Sequence, residues 1–295
     1  MSTVVSISSL KGGVGKTSLL LGLASAALVQ GLRLLVIDCD PHGDASTGLG
    51  LVVAGPGWSG ADMGAMLTNP ADYKLEEEIR PSAWNSLGSL GASTQTGLEP
   101  GVFIARAAAS LTAFEQLPRP LALPALSTLL EEVKDSFDLI LIDCPPTLGR
   151  LTETAWAASD RVLSVAEPAL FSVAGSERTL RAIARFEEQT EFAVGQASII
   201  INKVRPQDPE HIYRCEEMRV LFGDLVADIT LPDTPLLQQI QGSAYPLHYW
   251  PEPESQELAQ AFSGLLQGLL SQQGQEPEAS EADSEQGQKK EEEKA

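Results

Sequence analysis

A doubly wound α/β fold, a mostly parallel sheet flanked by helices, is predicted by three observations. Short aliphatic or β-branched runs recur along the chain, at 3–8, 33–38, 138–143, 161–166 and 197–201, and most end in a polar or turn residue. Stretches of helical length and spacing lie between most of them. The first run also passes through a glycine-rich turn straight into a Leu/Ala-rich helix, residues 18–30, as the opening βα unit of such a sheet does. At 295 residues the chain suits one α/β domain of about 250 residues plus a tail.

The turn, Lys11-Gly12-Gly13-Val14-Gly15-Lys16-Thr17-Ser18, carries the first chemistry. Gly12, Gly13 and Gly15 permit tight, positive-φ backbone, so successive N–H groups can converge on phosphate oxygens at a helix N-terminus. Lys16 is placed to reach the β- and γ-phosphates, and the Thr17 hydroxyl to sit on Mg2+; Val14 and Ser18 belong to the same cradle. The stretch meets the pattern G-x-x-x-x-G-K-[ST] only in part. Leu10 stands where the first glycine belongs, and Lys11 follows it at once.

The second strand, 33–38, runs into Cys39-Asp40-Pro41-His42-Gly43-Asp44. Alone, Asp40 reads equally as a turn acid before proline. Behind a phosphate loop, a role on Mg2+ or on the attacking water is the better reading. Residues 51–100 are rich in Gly, Pro, Ser and Asn; short helices are predicted near 61–68 and after Pro81, within a candidate switch segment, and a short strand at 102–105. Residues 124–137 have helical spacing, with Leu126, Leu129, Leu130 and Val133 on one face. The run 138–143 then ends in Asp143 before Cys144-Pro145-Pro146. Four apolar residues and an acid form the second phosphate-site pattern, whose carboxylate holds Mg2+ directly or through water.

Helices are predicted at 151–159 and 172–190, on either side of the strand 161–166. In the second, Arg178, Arg181 and Arg185 fall at i, i+3 and i+7 and share one face. With Lys203, Arg205, Arg214 and Arg219 they put seven of the chain's 20 basic residues between 178 and 219. A solvated helix face and a patch for DNA backbone are both open readings of that row. The strand 197–201 ends in Asn202, placed either to read a purine edge or to make a turn. A last strand is predicted at 225–231, before Pro232-Asp233-Thr234-Pro235, and a closing amphipathic helix at 254–270. The polar face of that helix carries no Lys or Arg, which argues against a membrane-surface role. From Gln272 the chain is Gln/Glu/Ser-rich, so a domain at 1–271 and a disordered acidic tail at 272–295 are expected.

The formal charge of −20 argues against a general polyanion binder; eight acids against three lysines in the tail account for −5 of it, leaving −15 on the body. Cys39, Cys144 and Cys215 are widely spaced and lack C-x-x-C pairing, which disfavours a disulfide framework or zinc site and suits a reducing cytoplasm. The chain opens directly on a strand and has no apolar run of about 20 residues, so neither a signal peptide nor a membrane span is expected.

Three segments together, Lys11-Gly-Gly-Val-Gly-Lys16-Thr17, Asp38-Cys-Asp40-Pro41 and Leu139-Ile-Leu-Ile-Asp143-Cys-Pro-Pro146, closely resemble the ParA/MinD family of deviant Walker A P-loop ATPases, and its Soj-like ParA branch in particular. The likeness covers about residues 2–271, and the segment from Leu231-Pro232 to Tyr245-Pro246 is similar to the family's nucleotide-side loop. The resemblance implies ATP and Mg2+ as cofactors and an ATP-dependent homodimer with slow, partner-stimulated hydrolysis. It implies a role in chromosome or plasmid partitioning, with a ParB-like or cargo adaptor and nonspecific DNA as partners, in the cytoplasm or on the nucleoid. By the same resemblance Lys11 reaches phosphates bound by the partner copy, and Lys16 binds phosphate in cis. Thr17, Asp40 and Asp143 attend the metal and the water, and Asn202 reads adenine beside Pro232. The sequence departs from the family where Gln-Gly-Asn is replaced by His42-Gly43-Asp44, and where basic residues are missing after Pro232. With no extra N-terminal helix-turn-helix region, operator-specific autoregulation is not expected. Positioning of a non-DNA cargo, such as a chemosensory array or protein compartment, and a small-molecule ATP-dependent ligase are the alternatives.

Overall fold

The computed structural model describes residues 2–51, 60–87 and 99–271. Along the chain come β1 (Thr3–Ser8), α1 (Lys16–Val29), β2 (Arg33–Asp38), α2 (Asp44–Gly48), α3 (Met63–Thr68), α4 (Leu75–Glu78), β3 (Arg80–Pro81) and β4 (Gly101–Ala105). There follow α5 (Leu111–Phe114), α6 (Arg119–Ala122), α7 (Ala125–Glu131), β5 (Leu139–Asp143), α8 (Arg150–Ala157), β6 (Arg161–Ala166) and α9 (Leu170–Gln189). Last come β7 (Gln196–Ile201), α10 (Pro209–Phe222), α11 (Pro235–Gly242) and α12 (Glu254–Ser271). The strands form one seven-stranded sheet in the order β3-β4-β2-β5-β1-β6-β7. Every pairing is parallel except β3 with β4.

Alternation along the central strands explains the two layers. Val5 and Ile7, Leu34 and Val36, and Leu139 and Leu141 face the side covered by α1 and α12. Val4, Leu35, Ile37, Ile140 and Ile142 face the side covered by α3, α5, α7 and α8. A strand buried on both faces has no polar side to show, hence its unbroken aliphatic run. The parallel register brings Asp38 opposite Asp143, so the strands that end in acids end together. The α1–α12 contact is close enough that a Cβ at Gly22 would stand inside the Phe262 ring.

The expected elements hold with four corrections. The helix expected over 124–137 is shorter: α7 stops at Glu131 and a 3-10 turn, Lys134–Ser136, follows. The chain must reverse there to enter β5, and Asp138 anchors the reversal by accepting the Arg33 N–H and pairing with its guanidinium. After Pro81 the structure has a 3-10 turn, Ala83–Ser86, and no α-helix. Residues 225–231 are not a strand. They touch the flank of β7 through one bridge, Ile199 with Val226, and a second, Val204 with Pro232, lies just past both segments. Between the bridges Ile229 packs against Gly264 of α12. Lastly, α2, α4, α5, α6, α10 and α11 lie where no helix was read. The segments 52–59, 88–98 and 272–295, which take in part of the candidate switch and the whole acidic tail, lie outside the described residues.

Candidate functional site

The strand–turn–helix unit builds a cradle at the C-terminal edge of the sheet. Gly13 and Gly15 have φ of 78° and 96°, the left-handed region that a side chain disfavours. Gly12 does not, contrary to expectation; a Cβ there would merely touch Pro146. Gly15 caps α1 with no side-chain hydrogen bond, so no side chain competes for the first N–H groups of the helix. Its close neighbour is Asn202, which is buried and donates from Nδ2 to the Val14 carbonyl at 2.8 Å. In this structure Asn202 braces the loop from the end of β7.

A cavity of about 480 Å3 opens over the cradle. Gly12, Gly13, Gly15, Lys16, Thr17 and Ser18 form its floor, Asp40 and His42 one wall, and Asn202, Pro232 and α11 the other. Lys16 is only 7% exposed. On the α11 side Gln241 accepts from the Ser18 hydroxyl at 2.9 Å, and Gln238 stands beside it. Neither glutamine was singled out from sequence, because α11 itself was missed.

Three carboxylates gather here, Asp40 in the wall and Asp38 and Asp143 behind it. Asp143 accepts from the Thr17 hydroxyl on Oδ2 at 2.8 Å, while its buried Oδ1 has no hydrogen-bond partner among the described residues. Asp38, fully buried, accepts from the Ser46 N–H and hydroxyl at 2.8 and 2.6 Å. Asp40 sits nearer the cavity, its Oδ1 taking the His42 N–H at 3.0 Å. Burial away from water pushes Asp38 up to about 6, against the Ser46 hydrogen bonds that pull it down. Burial, and then the charge of Asp38, push Asp143 well above the usual carboxylate range. An orphaned carboxylate oxygen beside a hydroxyl is an all-oxygen donor set, which fits a hard cation such as Mg2+. Among the described residues no cluster of three or more His, Cys, Asp or Glu could cage a metal by itself. Cys39 and Cys144 adjoin these acids, but burial raises both thiols and leaves them neutral.

Lys11 takes a different place. Its side chain is 46% exposed, does not line the cavity, and pairs with Glu167 at 2.6 Å. Glu167 also pairs with Lys203 at 2.9 Å, and Lys203 donates to the Gly13 carbonyl. Glu167 was missed from sequence although it follows the end of β6 directly. An acid at the C-terminal end of a parallel strand is the same signal that marked Asp40 and Asp143.

The arginine row is exposed along α9: Arg178, Arg181 and Arg185 all face solvent. Arg181 is tied to Glu177, and Arg178 to the Ala174 carbonyl. Arg219, on α10, is exposed too and lines a second cavity of about 550 Å3 by the N-terminal ends of β6 and β7. No helix among the described residues is long and apolar enough to cross a membrane.

Similarity to known proteins agrees with this architecture. The family model AAA_31, an AAA domain, matches residues 2–194. The chromosome-partitioning ATPase Soj of Treponema pallidum is 27% identical over 239 residues, covering 80% of this chain and 85% of that protein. The ATP complex of a McdA variant from Cyanothece superposes with a TM-score of 0.76 at 19% identity, covering 92% of this chain and 96% of that one. Cobyrinic acid a,c-diamide synthase of Mycobacterium smegmatis, with ADP and magnesium bound, gives 0.69 at 20% identity, covering 92% and 94%. Phosphate loop, paired strand-end acids, sheet order and these likenesses converge: the chain belongs to the AAA domain family AAA_31, as a ParA/MinD-type P-loop ATPase of the Soj-like branch.

Proposed function

We propose that the chain is an ATP-gated pairing switch of the ParA type. Two copies meet face to face over bound ATP, hydrolyse it slowly when a partner stimulates them, and separate, in the service of chromosome or plasmid partitioning. The observation that carries this reading is the split between two lysines of one loop. Lys16 is buried in the cavity, whereas Lys11 stands at the rim, outside the cavity lining. One cation thus serves the chain's own phosphates. The other is left for phosphates held by a second copy, where it offsets the repulsion between two facing triphosphates and the charge of the transition state.

The remaining residues take their roles around that split. Backbone N–H groups of Gly13 to Thr17 receive phosphate oxygens. Thr17 and Asp143 supply the oxygens that fit Mg2+, whose chemistry when bound is to neutralise charge on the β- and γ-phosphates. Asp40 orients a water at the mouth. Asn202 and Pro232 offer the wall for adenine. Residues 1–271 act as one ATPase domain, and an adaptor of the ParB kind sets the turnover. Contact with DNA falls to Arg178, Arg181 and Arg185 on α9 and to Arg219 on α10, all of them exposed. Positioning of a protein cargo is the second reading, and the net charge of −20 favours it over a DNA cargo.

The two lysines provide the test. Lys16→Ala should lose about 10- to 100-fold in ATP affinity, as expected for removing a buried charged hydrogen bond. Lys11→Ala should keep ATP binding but fail to pair or to turn over, read by calorimetry, sedimentation and phosphate release. A Lys11→Ala chain that pairs and hydrolyses like the wild type overturns the reading.

A further inference from the structure

Glu167 holds two lysines with one carboxylate. Its Oε2 takes Lys11 at 2.6 Å and its Oε1 takes Lys203 at 2.9 Å. The group lies directly after β6, whose Ser164 is opposite Ser8 of β1, the strand that feeds the phosphate loop. Lys203 has backbone φ of 58°, a conformation that costs a non-glycine residue energy, and from it the side chain reaches back to the Gly13 carbonyl. Burial works against the charge on Glu167, yet the hydrogen bonds from Lys11 and Lys203 outweigh it and hold the carboxyl below its usual range.

The asymmetry between the two lysines matters. The Lys203 ammonium has two partners, Glu167 and the Gly13 carbonyl, whereas Glu167 is the one hydrogen-bond partner of the Lys11 ammonium among the described residues. If Lys11 leaves, Glu167 keeps Lys203 and no carboxylate is stranded at the rim. The exchange therefore avoids the large penalty of an unpaired, partly buried charge. We propose that Glu167 is a positioning residue for Lys11, holding it in cis on the nucleotide-free chain and yielding it to the phosphates of a second copy. The proposal rests on the pairing reading above and adds to it a cis competitor that sets how readily pairing occurs. ATP bound to a partner must outbid Glu167, and ADP, with fewer phosphate charges, does so less well. Leu170 and Phe171, three and four positions past Glu167 at the start of α9, are 54% and 78% exposed.

The test uses the full chain with Glu167→Gln, which keeps shape and removes charge. A half-exposed ion pair is worth about two- to fivefold, and a dimer opens two of them, so the dissociation constant of the pair formed with a non-hydrolysable ATP analogue should fall about 4- to 25-fold. Unchanged or weaker pairing overturns the latch. A second measurement does not depend on pairing: amine acetylation of the nucleotide-free chain, followed by peptide mass spectrometry. Lys11 should label faster in Glu167→Gln than in the wild type, relative to the buried Lys16. A general loss of structure would raise both lysines alike, and no selective rise overturns the proposal. If the wild type does not pair at all with the analogue, the switch reading fails, while the labelling of Lys11 still decides the latch.

Discussion

Two of the cavities on this sheet can be compared, one at each end of its strands. The one at the C-terminal edge holds about 480 Å3; the one by the N-terminal ends of β6 and β7 holds about 550 Å3. Helix α1 contributes to both, with Thr17 and Ser18 in the first and Leu19 and Leu23 in the second. The first has left-handed glycines, a buried lysine and a carboxylate oxygen with no partner. The second sets Leu19, Leu23, Leu163 and Leu265 beside polar groups, among them Arg161, Gln196, Arg219 and Asp224. Volume alone would have chosen the second. The difference lies in a buried carboxylate oxygen without a partner: among the described residues Asp143 Oδ1, beside the first cavity, is such an atom, and none lines the second.

A single methyl group should separate the cavities most sharply. Gly15→Ala forces a side chain into φ 96° and onto Asn202 Nδ2. ATP affinity should fall by 100-fold or more by calorimetry, with about 1–3 kcal/mol lost from folding stability. Asp143→Asn should separate function from stability. The neutral amide can still accept from Thr17 but no longer repels Asp38 and Asp40. The nucleotide-free chain at pH 8 should therefore gain about 1–2 kcal/mol in denaturant unfolding, while the Mg2+-dependent part of ATP affinity disappears. A less stable Asp143→Asn would mean that the buried acids are not in conflict. The smallest effect belongs to the second cavity. Gly268→Ala places a methyl in open space on α12 and should add about 0.5–1 kcal/mol with ATP binding unchanged.

The two cavities also differ in how far the sequence reveals them. The phosphate loop, Asp40 and Asp143 are legible because each is written in consecutive residues, an apolar run and then a turn or an acid. The parallel register that sets Asp38 opposite Asp143 follows once the runs are taken as neighbouring strands. Contacts between distant residues are not legible in this way. Lys11 and Glu167 are 156 positions apart, and nothing local in either announces the other. The second cavity depends on α10 and the segment after it, where local signals fail. In α10, Ile212, Tyr213, Val220 and Leu221 are exposed and only Cys215 and Met218 are buried, so its apolar pattern does not mark an inward face. Residues 225–231 have strand-like composition, but Ile229 finds its contact on α12 and leaves the ladder. Helix α11 is short and rich in glutamine, and its place beside Ser18 is a tertiary fact.

The central claim is that ATP in the first cavity turns one chain into two. Sedimentation of the wild-type chain with Mg2+ and a non-hydrolysable ATP analogue, against ADP and against no nucleotide, tests it most directly. The expected result is a particle of twice the 31.4 kDa chain mass with the analogue and a single chain in the other two conditions. The same mass in all three conditions, whether one chain or two, would contradict it.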